Sequence, residues 1–221
     1  MDFGLTEQQR MIREAVAQLC AVFPAEYWRK LDEERAYPEE FVRALTRAGW
    51  LAVLIPQEHG GGGLGITEAS IVLEEVNRSG GSSAACHAQM YIMGSLLRHG
   101  SEEQKRRFLP QVASGELRFQ AFAITEPNSG SDTTRIQTTA VRRGDVYVLN
   151  GQKIFISRVQ HSDLMLVVAR TSPRDPARKT ASFLSFWLTS ERRLERWRCA
   201  PSAPWSTTRP TRSFSQISGF L

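Results

Sequence analysis

Cysteine is scarce in this chain, and what there is cannot organise it. Only Cys20, Cys86 and Cys199 occur in 221 residues. Their number is odd and their spacing is not that of metal ligands. A disulfide framework and a cysteine-held zinc are therefore not expected, and buried thiols in a reducing, cytoplasmic setting fit better. Histidine is nearly as sparse. His59, His87, His99 and His161 include no i,i+4 pair. Cys86 adjoins His87, but neighbours on a helix point apart, so no metal is expected. No run of 18 apolar residues exists, which leaves no candidate membrane span. The opening MDFGLTEQQR is too polar for a secretory signal.

Two missing motifs narrow the chemistry further. Glu58 to Gly65 reads EHGGGGLG. A phosphate loop would continue with Gly-Lys-Ser/Thr, whereas Leu64-Gly65-Ile66 follows here. A lipase with an HGG oxyanion loop would need a G-x-S-x-G elbow, and the chain has none. The segment reads as a structural turn between an apolar stretch and the next helix. The Asn77-Arg78-Ser79 glycosylation pattern carries no meaning in a cytoplasmic chain.

Charge is present but unevenly spread. Residues 1–170 hold 19 Lys and Arg against 20 Asp and Glu, a net of −1. Residues 171–221 hold 9 against 3, a net of +6. The overall +5 thus belongs to the tail, and the body gives no electrostatic reason to expect nucleic acid. Hydrophobic residues make up 41% of the chain, enough for a core in one large or two smaller domains.

The first half has helical periodicity. Thr6 with Gln9 forms a capping box, and Ile12, Val16, Leu19 and Phe23 make one apolar stripe. A charged helix follows to about Arg35. Pro38 starts a third helix, with Phe41, Val42 and Leu45 inward and Gly49 at its end. Trp50 to Ile55 is a short apolar run. Thr67 is expected to cap a helix over Glu68–Asn77. Residues 80–99 then contain Ala84, Met90, Ile92, Met93, Leu96 and Leu97, which predicts a central helix. Ser101 and Gln104 form a second capping box for a helix ending near Gly115. The short links suit a helical bundle.

From Phe119 the period becomes two. Strands are predicted at Phe119–Ile124, Thr138–Arg142, Val146–Leu149, Ile154–Ser157 and Leu164–Ala169. Turns are predicted at Arg143-Gly144-Asp145 and at Asn150-Gly151, the strongest two-residue hairpin signal. Between the first two strands lies FAITEPNSGSD, Phe122 to Asp132. Pro127 stops the strand, and Gly130 permits backbone conformations closed to other residues. The loop offers N–H groups and the hydroxyls of Thr125, Ser129 and Ser131 to a ring edge or a phosphate.

Two motifs now stand in order: TEP-x-x-GSD at Thr125–Asp132 and NG-x-K-x-F-I-S at Asn150–Ser157. On them the chain resembles the acyl-CoA dehydrogenase family of flavoproteins from about residue 3 to about residue 180. The resemblance implies an α+β fold, an all-helical N-terminal bundle followed by a small antiparallel β-domain, with the family's C-terminal helical domain missing. It implies boundaries at 1–117, 118–181 and an aberrant 182–221. It implies FAD, an acyl-CoA substrate losing an α-proton and a β-hydride, reoxidation by an electron-transfer flavoprotein, and a homo-tetramer in full-length members. By motif, Phe122, Ala123, Ile124 and Thr125 run along the isoalloxazine, with Thr125 bonding its pyrimidine side. Gly130 and Ser131 approach the pyrophosphate or the CoA, making Ser131 also a substrate contact. Phe155 stacks near the ring, Ile156 follows it, and Ser157 bonds near N5.

The chain departs from the family in two places. Arg158-Val159 stands where Asn-[Ala/Gly] is common, which leaves the dehydrogenase subtype open. The family's glutamate base lies in the C-terminal domain, so no catalytic residue is assigned. A flavin monooxygenase or oxidase of the same fold is a second reading. A nucleic-acid module built on the Arg-rich tail is a third, weakened by the lack of Lys after Lys179 and of any motif.

The tail is peculiar in itself. Residues 181–221 contain no Val, Asp, Lys, Asn, Tyr, Met or His, yet hold three of the five Trp. Reading across codon boundaries turns RWRCAPSAPWSTTRPTRSFSQISGFL into LEVRPIRTMVNHATNEVFLTDLRVP, a reconstruction that resembles the family's next segment. From near Ser182 a frame-shifted translation is expected, with strands lacking proper partners, poor packing, weak FAD binding and no turnover.

Overall fold

The computed structural model describes residues 4–144 and 146–177, and the backbone alone of 183–189, 197–200 and 211–220. The chain divides into two compact units, Met1–Phe119 and Gln120–Leu221.

Six helices build the first unit: α1 (Glu7–Cys20), α2 (Ala25–Glu34), α3 (Glu39–Arg47), α4 (Ile66–Arg78), α5 (Ala84–His99) and α6 (Glu102–Ser114). The capping boxes at Thr6 and Ser101 both form. The cap of α4 differs from expectation. Gly65, not Thr67, precedes the helix, because Glu68 turns its carboxylate back onto the Gly65 N–H at 3.0 Å. That single bond satisfies the Gly65 N–H without a side chain at the cap. Ile12, Val16 and Cys20 bury the stripe of α1, with Leu19 and Phe23 half-buried beside them. Burial pushes the Cys20 thiol pKa up. Phe41, Val42 and Leu45 of α3 are fully buried, each worth about 1.5–3 kcal/mol. In α5, Met90, Ile92, Met93 and Leu96 are buried, but Ala84 is exposed and Leu97 only half-buried. Helix α6 runs on through Pro110, flanked by the buried Leu109 and Val112.

The glycine loop is spent on its own neighbours. The N–H groups of Gly62, Gly63 and Leu64 donate to the carbonyls of Ala52, Ile55 and Val53 at 2.8–3.0 Å. A Cβ on Gly61 would sit 2.1 Å from the Ile55 carbonyl oxygen. Close backbone approach explains the glycines here, and those donors are unavailable to a phosphate. At the end of the unit, Arg118 forks onto Glu39, which also accepts from Arg43 Nε at 2.8 Å. The Arg118 hydrogen bonds, above all, hold the Glu39 carboxyl below its ordinary pKa.

The second unit is a sheet of β1 (Phe119–Ala123, whose first residue closes the first unit), β2 (Thr139–Arg143), β3 (Val146–Lys153), β4 (Leu164–Arg170), β5 (Phe183–Thr189), β6 (Trp197–Ala200) and β7 (Thr211–Phe220). Their order is β1-β4-β2-β3-β7-β6, with β5 also on β4. β2 and β3 form the expected hairpin, Arg143 opposite Val146. The sheet is not wholly antiparallel, since β2 touches β4 in parallel at Thr139 and Arg170. β4 is buried at six of its seven positions, as a central strand must be.

Two sequence expectations are corrected. Asn150-Gly151 is not a turn: β3 continues through it to Lys153, and the register against β7 shifts between Leu149 and Gly151. A Cβ on Gly151 would meet Thr138 Oγ1 at 2.4 Å, so the glycine serves a bulge packed close against the residue that precedes β2. Ile154–Ser157 is not a strand either, because Phe155 takes φ 57° and breaks the extended run. One part of the tail expectation, strands without partners, is corrected where backbone is described. β5 pairs antiparallel with β4, β7 with β3, and β6 with β7. Ladder hydrogen bonds need only main-chain donors and acceptors, so a strand edge accepts a partner of irregular side-chain pattern. The remaining expectations for 178–182, 190–196 and 201–210 lie outside the described residues. Among the described residues no helix is long and apolar enough to cross a membrane.

Candidate functional site

The two motif segments meet through a buried charge. Glu126 is 5% exposed and Lys153 not at all, and Lys153 Nζ donates to the Glu126 carboxylate at 3.0 Å. The same ammonium donates to the Ile124 carbonyl at 2.8 Å. Glu126 also accepts from the N–H groups of Gln137 and Thr138 at 2.5 and 2.8 Å and from Thr138 Oγ1 at 2.5 Å. Burial alone would raise the Glu126 pKa, but the Thr138, Gln137 and Lys153 hydrogen bonds outweigh it and hold the carboxyl below its ordinary range. Burial draws Lys153 below its ordinary value against the opposing pull of Glu126. A carboxylate with this many donors is satisfied as an anion.

The clamp fixes main chain as well as side chains. The Ile154 N–H donates to the Thr125 carbonyl at 2.9 Å, joining the end of one motif to the turn of the other. Beyond it, Phe155 is 62% exposed at φ 57°. A bulky residue held left-handed stores about 1–3 kcal/mol and marks a backbone shaped for something other than stability. Arg158 is left-handed too, and its carbonyl accepts from Ser162 Oγ at 2.8 Å.

The predicted site residues divide by accessibility. Phe122, Ile124, Thr125 and Ser157 are half-buried, while Gly130, Ser131 and Phe155 are exposed. Ala123 and Ile156 are buried in the core of the sheet beside Ala121, Leu149 and Val167. They offer a ligand backbone only. The TEP loop is less open than its sequence promised. Glu126 and Ser129 exchange main-chain hydrogen bonds at 2.9 and 3.1 Å, and Ser129 Oγ donates to the Asp132 carbonyl at 2.8 Å. Gly130 keeps negative φ, and a Cβ there would meet nothing within 4 Å, so its conformational freedom is not used.

Sequence reasoning gave Glu126, Thr138 and Lys153 no role. The available signal was charge in the wrong place: a lone lysine between a strand and Ile154, and a glutamate closed in by Thr125 and Pro127. Among the described residues, no group of His, Cys, Asp and Glu is placed to hold a metal ion.

Known proteins share this arrangement of domains. Residues 6–116 match the acyl-CoA dehydrogenase N-terminal domain, and residues 121–193 match the acyl-CoA dehydrogenase middle domain. Acyl-CoA dehydrogenase FadE12 of Mycobacterium tuberculosis is 36% identical over 167 residues, covering 75% of this chain and 43% of that protein. Mitochondrial isovaleryl-CoA dehydrogenase of Bos taurus is 35% identical over 173 residues, covering 76% and 40%. The chain therefore spans less than half the length of these curated relatives. The structure of the glutaryl-coenzyme A dehydrogenase glutaryl-CoA complex superposes with a TM-score of 0.85 at 28% identity, over 100% of this chain and 56% of that one. A helical unit and a sheet, each matched in order to its own family domain, place this chain in the acyl-CoA dehydrogenase family.

Proposed function

We propose that the β-unit is the flavin-facing half of an FAD-dependent acyl-CoA dehydrogenase. The observation that carries this reading is the Glu126–Lys153 clamp, which sets the Thr125 turn against the Ile154–Ser157 segment and leaves Phe155 bare. FAD, when bound, supplies the acceptor for a hydride from an acyl-CoA thioester. The residues present fit that group. Phe122, Ile124 and Thr125 offer a half-open strand edge, Phe155 an unpacked aromatic face, and Ser157 a hydroxyl. Ser131, exposed on the loop, is the contact for a phosphate-bearing part of cofactor or substrate. Their work is to bind, orient and exclude water, and no proton transfer is assigned to any of them.

Electron-transfer flavoprotein as the oxidant, a tetrameric parent and a cytoplasmic setting belong to the same proposal. So does a shifted reading frame from near Ser182, which rests on the break in composition there. On this reading the 221 residues alone bind FAD weakly and do not turn over. Two experiments test it. Sequencing the gene region should give a family-like reading in the adjacent frame after the codon for Ala181. The frame-restored protein should carry flavin and oxidise one of a panel of acyl-CoAs with an artificial electron acceptor. An intact frame with no such reading, or stoichiometric flavin and turnover by the 221-residue chain, contradicts it.

A further inference from the structure

The β-unit has a second concave feature that the flavin reading does not use. A cavity of about 330 Å³ is lined by Arg135, Ile136, Gln137, Arg170 and Arg174. Its size is at the small end for pockets that hold small ligands, roughly 300–1,000 Å³. Three of its five lining side chains are guanidinium groups.

These arginines differ in kind. Arg170 is 6% exposed, and its guanidinium is pinned by Nε to the Ile136 carbonyl at 2.8 Å and by Nη2 to the Thr134 carbonyl. Its own N–H donates to the Thr138 carbonyl at 2.8 Å. Side chain and strand are thus fixed before any ligand arrives. Burial and the Arg174 charge both work against the Arg170 cation, and Glu126 works for it. Arginine stays charged regardless. Arg135 and Arg174 are exposed, and neither makes an ion pair among the described residues.

Among the described residues no carboxylate lines the cavity itself. Glu126 is engaged by Lys153. Asp132, outside the lining, offsets part of the charge of Arg135 and Arg174 and also accepts from Thr134 Oγ1 at 2.5 Å and Thr134 N at 3.2 Å. Asp175 accepts from the Ala177 N–H at 2.8 Å. Like charges are gathered around one hollow, and a planar donor is held rigid within it. That suits an anion with several oxygens, which guanidinium groups bind through paired N–H donors.

We propose that this cavity is an anion site that takes a phosphate group, with Arg170 as its fixed member and Arg135 and Arg174 as its adjustable ones. The phosphate comes either free or as part of a nucleotide. The inference does not depend on the flavin reading, because none of the three arginines belongs to that site.

The test is calorimetric titration of the full 221-residue chain, in 0.1 M chloride, with orthophosphate, ADP and adenosine in turn. Saturable binding of orthophosphate and ADP, and none of adenosine, is expected. Tighter binding of ADP assigns the site to a nucleotide, and equal binding assigns it to the free anion. The R135A/R174A variant should bind both about tenfold more weakly for each arginine removed, with an unchanged melting temperature. R135K/R174K keeps the charge but loses the paired donors, so its affinity should fall between the two and provides a second folded comparison. No saturable binding of either phosphate-bearing probe at millimolar concentration overturns the proposal. So does an affinity that neither variant changes, which would place ADP elsewhere on the chain.

Discussion

Lys153 holds its ammonium 3.0 Å from the Glu126 carboxylate and 2.8 Å from the Ile124 carbonyl, in full burial. Two segments 27 residues apart are thereby fastened at one point. Lys153→Met removes the cation and strands the carboxylate. Breaking a buried pair from one side costs roughly 3–5 kcal/mol. Adding Glu126→Gln in the same chain should recover part of that loss, since the amide keeps one acceptor and sheds the charge. Denaturant unfolding of the two single variants and the double measures the coupling. A loss under about 1 kcal/mol for Lys153→Met would show that the pair is not the anchor.

The same carboxylate gives a pH dependence. Its folded pKa is depressed below the ordinary 4.5 by the Thr138, Gln137 and Lys153 hydrogen bonds, which overcome the effect of burial. The unfolded chain therefore takes up the proton first as pH falls. Glu126 contributes stability that is complete above about 4.5 and is lost as pH drops from there through the folded value. Denaturant unfolding at a series of pH values below 5 should show that loss, and Glu126→Gln should flatten it. An equal slope in the variant would assign the acid lability to other carboxylates.

How much of this was legible in the sequence depended on how local the cause was. The capping boxes at Thr6 and Ser101 need four residues each and were read correctly. The buried face of α3 followed from spacing alone. The Asn150-Gly151 pair has the form of a turn, but the reason for its glycine lies at Thr138, which fills the space where a Cβ would stand. A dipeptide rule cannot see how closely a neighbouring segment packs. Phe155 looked like a strand residue because aromatics favour strands, and only the backbone records its φ of 57°. The two site motifs were recognised as motifs, but their mutual geometry needed the Glu126–Lys153 contact, which joins distant segments.

Glycine substitutions separate space from habit. Gly151→Ala drives a methyl to within 2.4–2.7 Å of Thr138, and one of those contacts is the backbone Cα. Main chain must move, and overpacking of this sort costs about 1–3 kcal/mol. Gly94→Ala is the control. It lies inside α5 with nothing within 4 Å of the added carbon. There the gain in helix propensity should stabilise by about 1 kcal/mol. Melting temperatures of the two variants should move in opposite directions, and a stabilised Gly151→Ala would mean that the bulge does not need its glycine.

Phe155 lets stability and the proposed flavin contact be measured apart. Its ring is 62% exposed, so little burial is lost when it is removed. Its φ of 57° is unfavourable for phenylalanine and free for glycine. Phe155→Gly should therefore leave the 221-residue chain as stable as before or more so, because relief of about 1–3 kcal/mol of strain offsets the entropy of an added glycine. If the exposed ring faces a flavin, the same change should weaken flavin retention in the frame-restored protein several-fold, in keeping with about 0.5–1.5 kcal/mol for an aromatic contact. Phe155→Trp, which keeps an aromatic face, should restore most of that retention. Thermal melting of the chain and flavin absorbance after gel filtration of the frame-restored protein give the two readouts. A ring kept for packing predicts the reverse of both, lower stability and unchanged flavin, and that pattern would remove Phe155 from the site.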